Sequence, residues 1–167
     1  MKKTFTFLLL GAVLLSGCSA GSKAVPSTEP TQIQMQIGNP WKEHDSMESA
    51  EAASGLDFPL PNMIAETYKA ESYRVMNGQL MEVVYRSGTD SVIVRMQLGE
   101  GQDISGVFGD ADSTENMEMN GAKVTVKLIG DACVHLICVS SYSFSLYAPN
   151  GYQGETCSDF LSFICTQ

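Results

Sequence analysis

The 167-residue sequence predicts an α+β fold: an antiparallel β-meander of five to six strands, with a short N-terminal helix and a C-terminal helix packed on one face. Three observations predict it. Between positions 71 and 146, apolar and polar residues alternate through segment after segment, as in strands that bury one face and wet the other. Asn77-Gly78 and Asn120-Gly121 separate such segments, and Asn-Gly between alternating runs is the strongest short hairpin signal. Near the C-terminus the period changes. Cys157, Phe160, Leu161 and Ile164 fall at i, i+3, i+4 and i+7, one helical stripe.

The elements follow in order. Asp45 is placed to cap a first helix, with Glu48 three positions on in capping-box spacing. Met47, Ala50 and Ala53 share a face of that helix, and Gly55 stops it. Leu56, Phe58, Pro59, Leu60 and Pro61 form a stiff apolar connection. Strands at 71–76 and 79–86 flank Asn77-Gly78, and the second puts Met81, Val83 and Tyr85 on one face. In 91–98, Val92, Val94, Met96 and Leu98 face one way, Ile93, Arg95 and Gln97 the other. Residues 103–118 read as a solvated acidic loop. Asp110-Ala111-Asp112 begins like a calcium loop, but Glu115 stands where an EF-hand needs Gly. After Asn120-Gly121, Ala122, Val124, Val126 and Leu128 alternate with Lys123, Thr125, Lys127 and Ile129. Gly130-Asp131 turns the chain into 132–139, and Tyr142, Phe144 and Leu146 then alternate with serines. The last helix spans about 155–165 with Thr156 as its cap. A sheet with one apolar face and a helix with one apolar stripe satisfy each other.

Composition bounds function. With 44% apolar and 17% charged residues the chain can fill a core. Ten Lys+Arg against 19 Asp+Glu give a net charge of −9, which excludes a nucleic-acid partner, since that requires a basic surface to displace phosphate counterions. No G-x-S-x-G, S-x-x-K, H-E-x-x-H or phosphate-cradling glycine loop occurs. Two histidines are thin provision for acid–base work near neutrality, and no pair of acids is singled out for glycoside chemistry. The chain is therefore read as not an enzyme, with no cofactor and no metal.

The first residues are an address. Lys2 and Lys3 precede an apolar run, Phe5 to Leu15, and small residues follow, the plan of a secretory signal. The run is too short to span a bilayer as a helix. Leu15-Ser16-Gly17-Cys18 resembles the lipobox of bacterial lipoproteins. The resemblance implies cleavage before Cys18 and diacylglyceryl attachment to its sulfur, so residues 1–17 would be a lipoprotein signal peptide. Acyl chains contribute about 0.8 kcal/mol per buried CH2, and two or more hold a protein firmly. An acidic body beside an anionic membrane is repelled, so the anchor, and no basic patch, is expected to hold it there. Residues 18–38 are the lipidated Cys and a small, polar, proline-punctuated tether, whose alternating Ile33, Met35 and Ile37 could end as an edge strand. Residues 39–167 then form a single extracytoplasmic domain.

Asn39-Pro40-Trp41, then Ser46-Met47-Glu48-Ser49-Ala50-Glu51-Ala52, then Gly55-Leu56-Asp57-Phe58-Pro59, resemble the opening of an uncharacterised extracytoplasmic domain of Gram-positive lipoproteins. Asp103-Ile104-Ser105-Gly106 and Tyr142-Ser143-Phe144-Ser145 resemble later stretches of the same group. Where that group has an Ala and a Trp before the second stretch, this chain reads Cys133-Val134-His135-Leu136-Ile137-Cys138. The resemblance carries no catalytic residues. It implies a lipid-anchored protein on the outer side of the cell membrane.

Three constellations carry candidate chemistry. Cys133, Cys138, Cys157 and Cys165 are even in number, and an exported compartment permits disulfides. Cys133 and Cys138 are five apart on one strand and face opposite sides. A staple would therefore join strand to helix, Cys138 with Cys157 or Cys133 with Cys165; the other reading is four buried thiols acting as small apolar residues. His135 shares a face with Cys133, the minimum for a Cys–His pair, although an apolar strand also suits a quiet core histidine. Zinc fails there, because Cys138 points away from the other two. Finally, Arg95, Lys123 and Lys127 lie on the wet face. They form a stripe able to receive an acidic peptide or glycan, or else pair with acids such as Glu82. Trp41 is placed to anchor the core edge. The expectation is a membrane-anchored binding, interaction or sensing module whose partner beyond the membrane is a protein or the cell wall. The competing expectation is a lipid-handling protein or small hydrolase.

Overall fold

Glycine-bearing hairpin turns set the frame of the sheet. The computed structural model describes residues 38–151 and 154–167. In it Asn120-Gly121 is a two-residue turn joining Met119 to Ala122, with left-handed backbone at both positions. That geometry matches the twist of the flanking strands. Asn77-Gly78, also left-handed at both residues, opens a slightly longer loop joining Met76 to Leu80.

The elements are β1 (Trp41–His44), α1 (Met47–Ser54), β2 (Met63–Ile64), β3 (Tyr68–Met76), β4 (Leu80–Ser87), β5 (Asp90–Leu98), β6 (Ser113–Met119), β7 (Ala122–Ile129), β8 (Ala132–Val139), β9 (Tyr142–Ala148) and α2 (Gly154–Ile164). All strand pairs are antiparallel, in the order β1-β3-β4-β5-β9-β8-β7-β6, with β2 also on β3. The fold is α+β and largely a meander, but it has nine strands and not five to six. The six alternating segments are all strands. The additions are β1, β2 and β6. The first two are too short to display a period. Most of β6 lies in the stretch expected to be an acidic loop, because its Ser-Thr-Glu-Asn start offers no apolar alternation; pairing with β7 along its full length makes it a strand.

Register assigns the faces. Met81, Met96, Phe144, Ile137 and Val124 stand side by side on one face, as do Val83, Val94, Leu146, His135 and Val126. Both helices join the core built on this face. Met47 and Ala50 enter it from α1; Cys157, Phe160, Leu161 and Ile164 enter it from α2. The cap of α1 is Ser46, not Asp45: its hydroxyl accepts the Ser49 N–H at 3.2 Å, and Gly55 closes the helix in left-handed backbone. Thr156 is buried inside α2 and does not cap it.

The opposite face is not uniformly wet. Between β5 and β6 the chain must pass β9, β8 and β7, and residues 99–112 make that crossing. Its own Ile104 and Ser105 are buried. Glu82 is fully buried on this face and accepts from Arg74 Nε and, at 2.7 Å, from Arg95 Nε. Arg95 Nη1 also donates to the Ile104 carbonyl at 3.1 Å. Trp41 lies over both guanidinium groups, 4.6 Å from Arg74 and 5.4 Å from Arg95, so its place is on the second face over this cluster. Gly106 passes so close that an added Cβ would sit 2.0 Å from Arg95 Nη1.

The signal segment 1–17, Cys18, and the tether with Ile33, Met35 and Ile37 lie outside the described residues. Among the described residues no helix is long and apolar enough to cross a membrane.

Two ion pairs on this face should differ in weight. Glu82→Ala leaves two guanidinium groups facing a buried gap and is expected to destabilise the domain by about 3–5 kcal/mol. Lys127→Gln, removing a more exposed pair with Asp103, should cost under about 1 kcal/mol. Urea unfolding of both variants checks the order; equal costs would contradict it.

Candidate functional site: a groove beside the C-terminal helix

The sheet is wider than its helical cover. α2 is fastened on one flank where Asp159 Oδ2 accepts the Ala65 N–H at 2.8 Å, just past β2. On the other flank, Ser158 and Leu161 face the outlying strands β6, β7 and β8. Between them opens a groove of about 490 Å³, within the usual range for small-ligand sites. Its apolar wall is Met117 and Met119 from β6, Val126 and Leu128 from β7, and Leu161 from α2. Glu115 and Ser113 stand at the strand edge. Met117 is 41% exposed and Leu128 39%, on a face that is otherwise core. Alternation explains the arrangement: these residues continue the buried rows of β8 and β9 to the edge of the sheet, where nothing lies over them among the described residues.

His135 forms the floor, 2% exposed. Burial holds its pKa down at about 4, so the imidazole is neutral at neutral pH. Its Nδ1 lies 3.7 Å from Cys133 Sγ, which is also buried, and burial raises that thiol's pKa. The sequence places these two groups together and the structure does the same. Both shifts run against a thiolate–imidazolium pair, the state a Cys–His nucleophile requires.

The remaining candidate residues are dispersed. Cys138 is on the opposite face of β8 from α2, so the sheet separates it from Cys157. Cys133 and Cys157 are both in the core, Cys165 packs against it, and no disulfide is formed among the described residues. Arg95, Lys123 and Lys127 do share the second face. Arg95 is engaged by Glu82. Lys127 donates to Asp103 at 2.7 Å, and those bonds and two from Ser105 outweigh burial to hold the Asp103 carboxyl below its usual range. Lys123 is exposed, in register with Glu118. A second hollow of about 380 Å³ opens beside it, with Gln102 and Cys138 in its wall. Among the described residues no three His, Cys, Asp or Glu side chains are grouped to hold a metal ion.

Sequence reasoning missed the groove. The available signal was Met117 and Met119, alternating and adjacent to Asn120-Gly121, inside a stretch otherwise too polar to read. It also missed Phe108, 93% exposed within the crossing segment 99–112.

The histidine has a pH consequence. A group whose folded pKa is depressed to about 4 from about 6.5 favours folding above its unfolded pKa. Stability should therefore fall as pH drops from about 6.5 to about 4, by up to about 3 kcal/mol. Asp103 has the same sign but acts lower, below about pH 4. His135→Leu should flatten the upper window in urea unfolding measured across pH; an unchanged slope there would assign the acid sensitivity elsewhere. No protein-family model, no curated protein and no solved structure matches this chain.

Proposed function

We propose that this chain is a lipid-anchored extracytoplasmic protein whose domain is a non-enzymatic binding module, and that the groove beside α2 is where it binds. The carrying observation is the groove: an apolar hollow of about 490 Å³ at the uncovered end of the core face. Apolar side chains gathered and left open in this way favour association, since covering them releases about 25 cal/mol per Å². The neutral, buried Cys133–His135 pair supports the non-enzymatic reading. The lipobox-like Leu15-Ser16-Gly17-Cys18 supports the anchor. So does the resemblance of 39–59 to the opening of Gram-positive lipoprotein domains.

The apolar lining also favours a second reading, in which the module handles lipid and the groove takes an acyl chain. One probe addresses both. A dansylated medium-chain fatty acid should bind saturably, and Met117→Lys should weaken that binding by at least about tenfold while leaving the unfolding midpoint unchanged. Saturable binding, lost in the variant, supports lipid handling. A groove that takes apolar peptide and refuses the acyl probe keeps the binding module alone. Refusal of both ends the groove reading. The anchor is tested separately: Cys18→Ser should move the protein from the membrane to the soluble fraction and abolish palmitate incorporation.

A further inference from the structure

From the open edge of β6, we infer that this face pairs with β6 of a second copy of the chain, joining two sheets into one across a two-fold axis. The two ends of the sheet differ. At one end the outer side of β3 is shared between β1 and the two-residue β2, a broken edge. At the other, β6 is paired along all seven residues with no register shift, and its outer side carries no further strand among the described residues. It contains no proline, no lysine and no bulge; of the devices that blunt an edge it carries only the charges of Glu115, on the core face, and Glu118, on the other.

The hydrogen-bond phase suits self-pairing. A two-residue turn makes its flanking pair, Met119 and Ala122, a hydrogen-bonded one. Alternation then aims the N–H and C=O of Met117 and Glu115 at β7, and those of Thr114, Asn116 and Glu118 outward. An antiparallel partner centred on Asn116 sets Asn116 against Asn116, Thr114 against Glu118 and Ser113 against Met119. Every outward group is then matched, and no two glutamates stand directly opposite.

Side chains favour the same register. A two-fold axis normal to the sheet keeps both core faces on one side. Met117 then lies diagonal to its counterpart, within reach of a long side chain, and the exposed Met117 and Leu128 with the half-buried Met119 of both copies form one apolar band. Glu115 falls on the other diagonal, near its own counterpart. That repulsion, with the net charge of −9, makes the pairing salt-dependent.

The test uses the chain without residues 1–17, carrying Cys18→Ser, under reducing conditions. Sedimentation velocity over a concentration series should show a reversible monomer–dimer equilibrium, tightened by added salt and by Glu115→Gln. Asn116→Pro removes an outward N–H together with the bond that Asn116 Oδ1 accepts from Thr125 Oγ1, so it should weaken the dimer by at least about tenfold, whereas Asn116→Ala, which removes that side-chain bond alone, should leave the dimer intact; acyl-probe binding stays as it was in both. Amide exchange at Thr114, Asn116 and Glu118 should slow as concentration rises. A monomer at every concentration, with those three amides unprotected, overturns the inference. A dimer that Asn116→Pro leaves intact also overturns it, by placing the contact elsewhere. Refusal of both the acyl probe and apolar peptide by the wild type would instead count against the groove reading and leave the dimer inference standing.

Discussion

One buried carboxylate organises the second face of this protein. Glu82 sits in the middle of β4 with no exposure, and an isolated charge there would be untenable. Arg74 from β3 and Arg95 from β5 meet its two oxygens, so three adjacent strands are tied at one point. Trp41 extends the tie to β1, and Arg95 carries it to the Ile104 carbonyl of the crossing segment. A chain that must travel from β5 to the far edge of the sheet thereby acquires a fixed path. Its lysine and serine contacts, Lys127 to Asp103 and Gln102 to Ser143, continue that path outward.

The path has a cost on the other face. Placing β6 at the far edge makes a wide sheet, and among the described residues only the helices α1 and α2 cover it. Helical cover gives out beside Leu161, where the rows of core residues continue onto β7 and β6. The groove is the geometric remainder of that mismatch. Its methionines are flexible and polarizable, so its wall can repack around apolar groups of more than one shape.

The Cys133–His135 pair, of which His135 floors the groove, is held neutral for a physical reason. Cys133 and His135 share a face and lie within contact distance, but burial penalises charge on both. A thiol pushed up and an imidazole pushed down leave two neutral groups, and desolvation dominates each. The basic residues of the opposite face are similarly committed: two of the three, Arg95 and Lys127, are held by acids of the same chain. Among the described residues, the groove's apolar wall and the outer side of β6 have no such commitment.

Local pattern sufficed for much of this. The period-2 runs identify six strands and the faces of Val94, Leu146 and Arg95, because alternation is a property of each strand alone. The 3.6 period identifies α2 and its stripe, and Gly55 ends α1 as its lack of a Cβ allows. What the strands were next to was not legible. Nothing local announces that β5 pairs with β9, that residues 99–112 cross the back of the sheet, or that Ser113–Met119 is a strand. Those follow from long-range pairing, which is decided by how the whole set of faces can be buried at once. The groove exists only at that level, since it lies where one element stops and another continues.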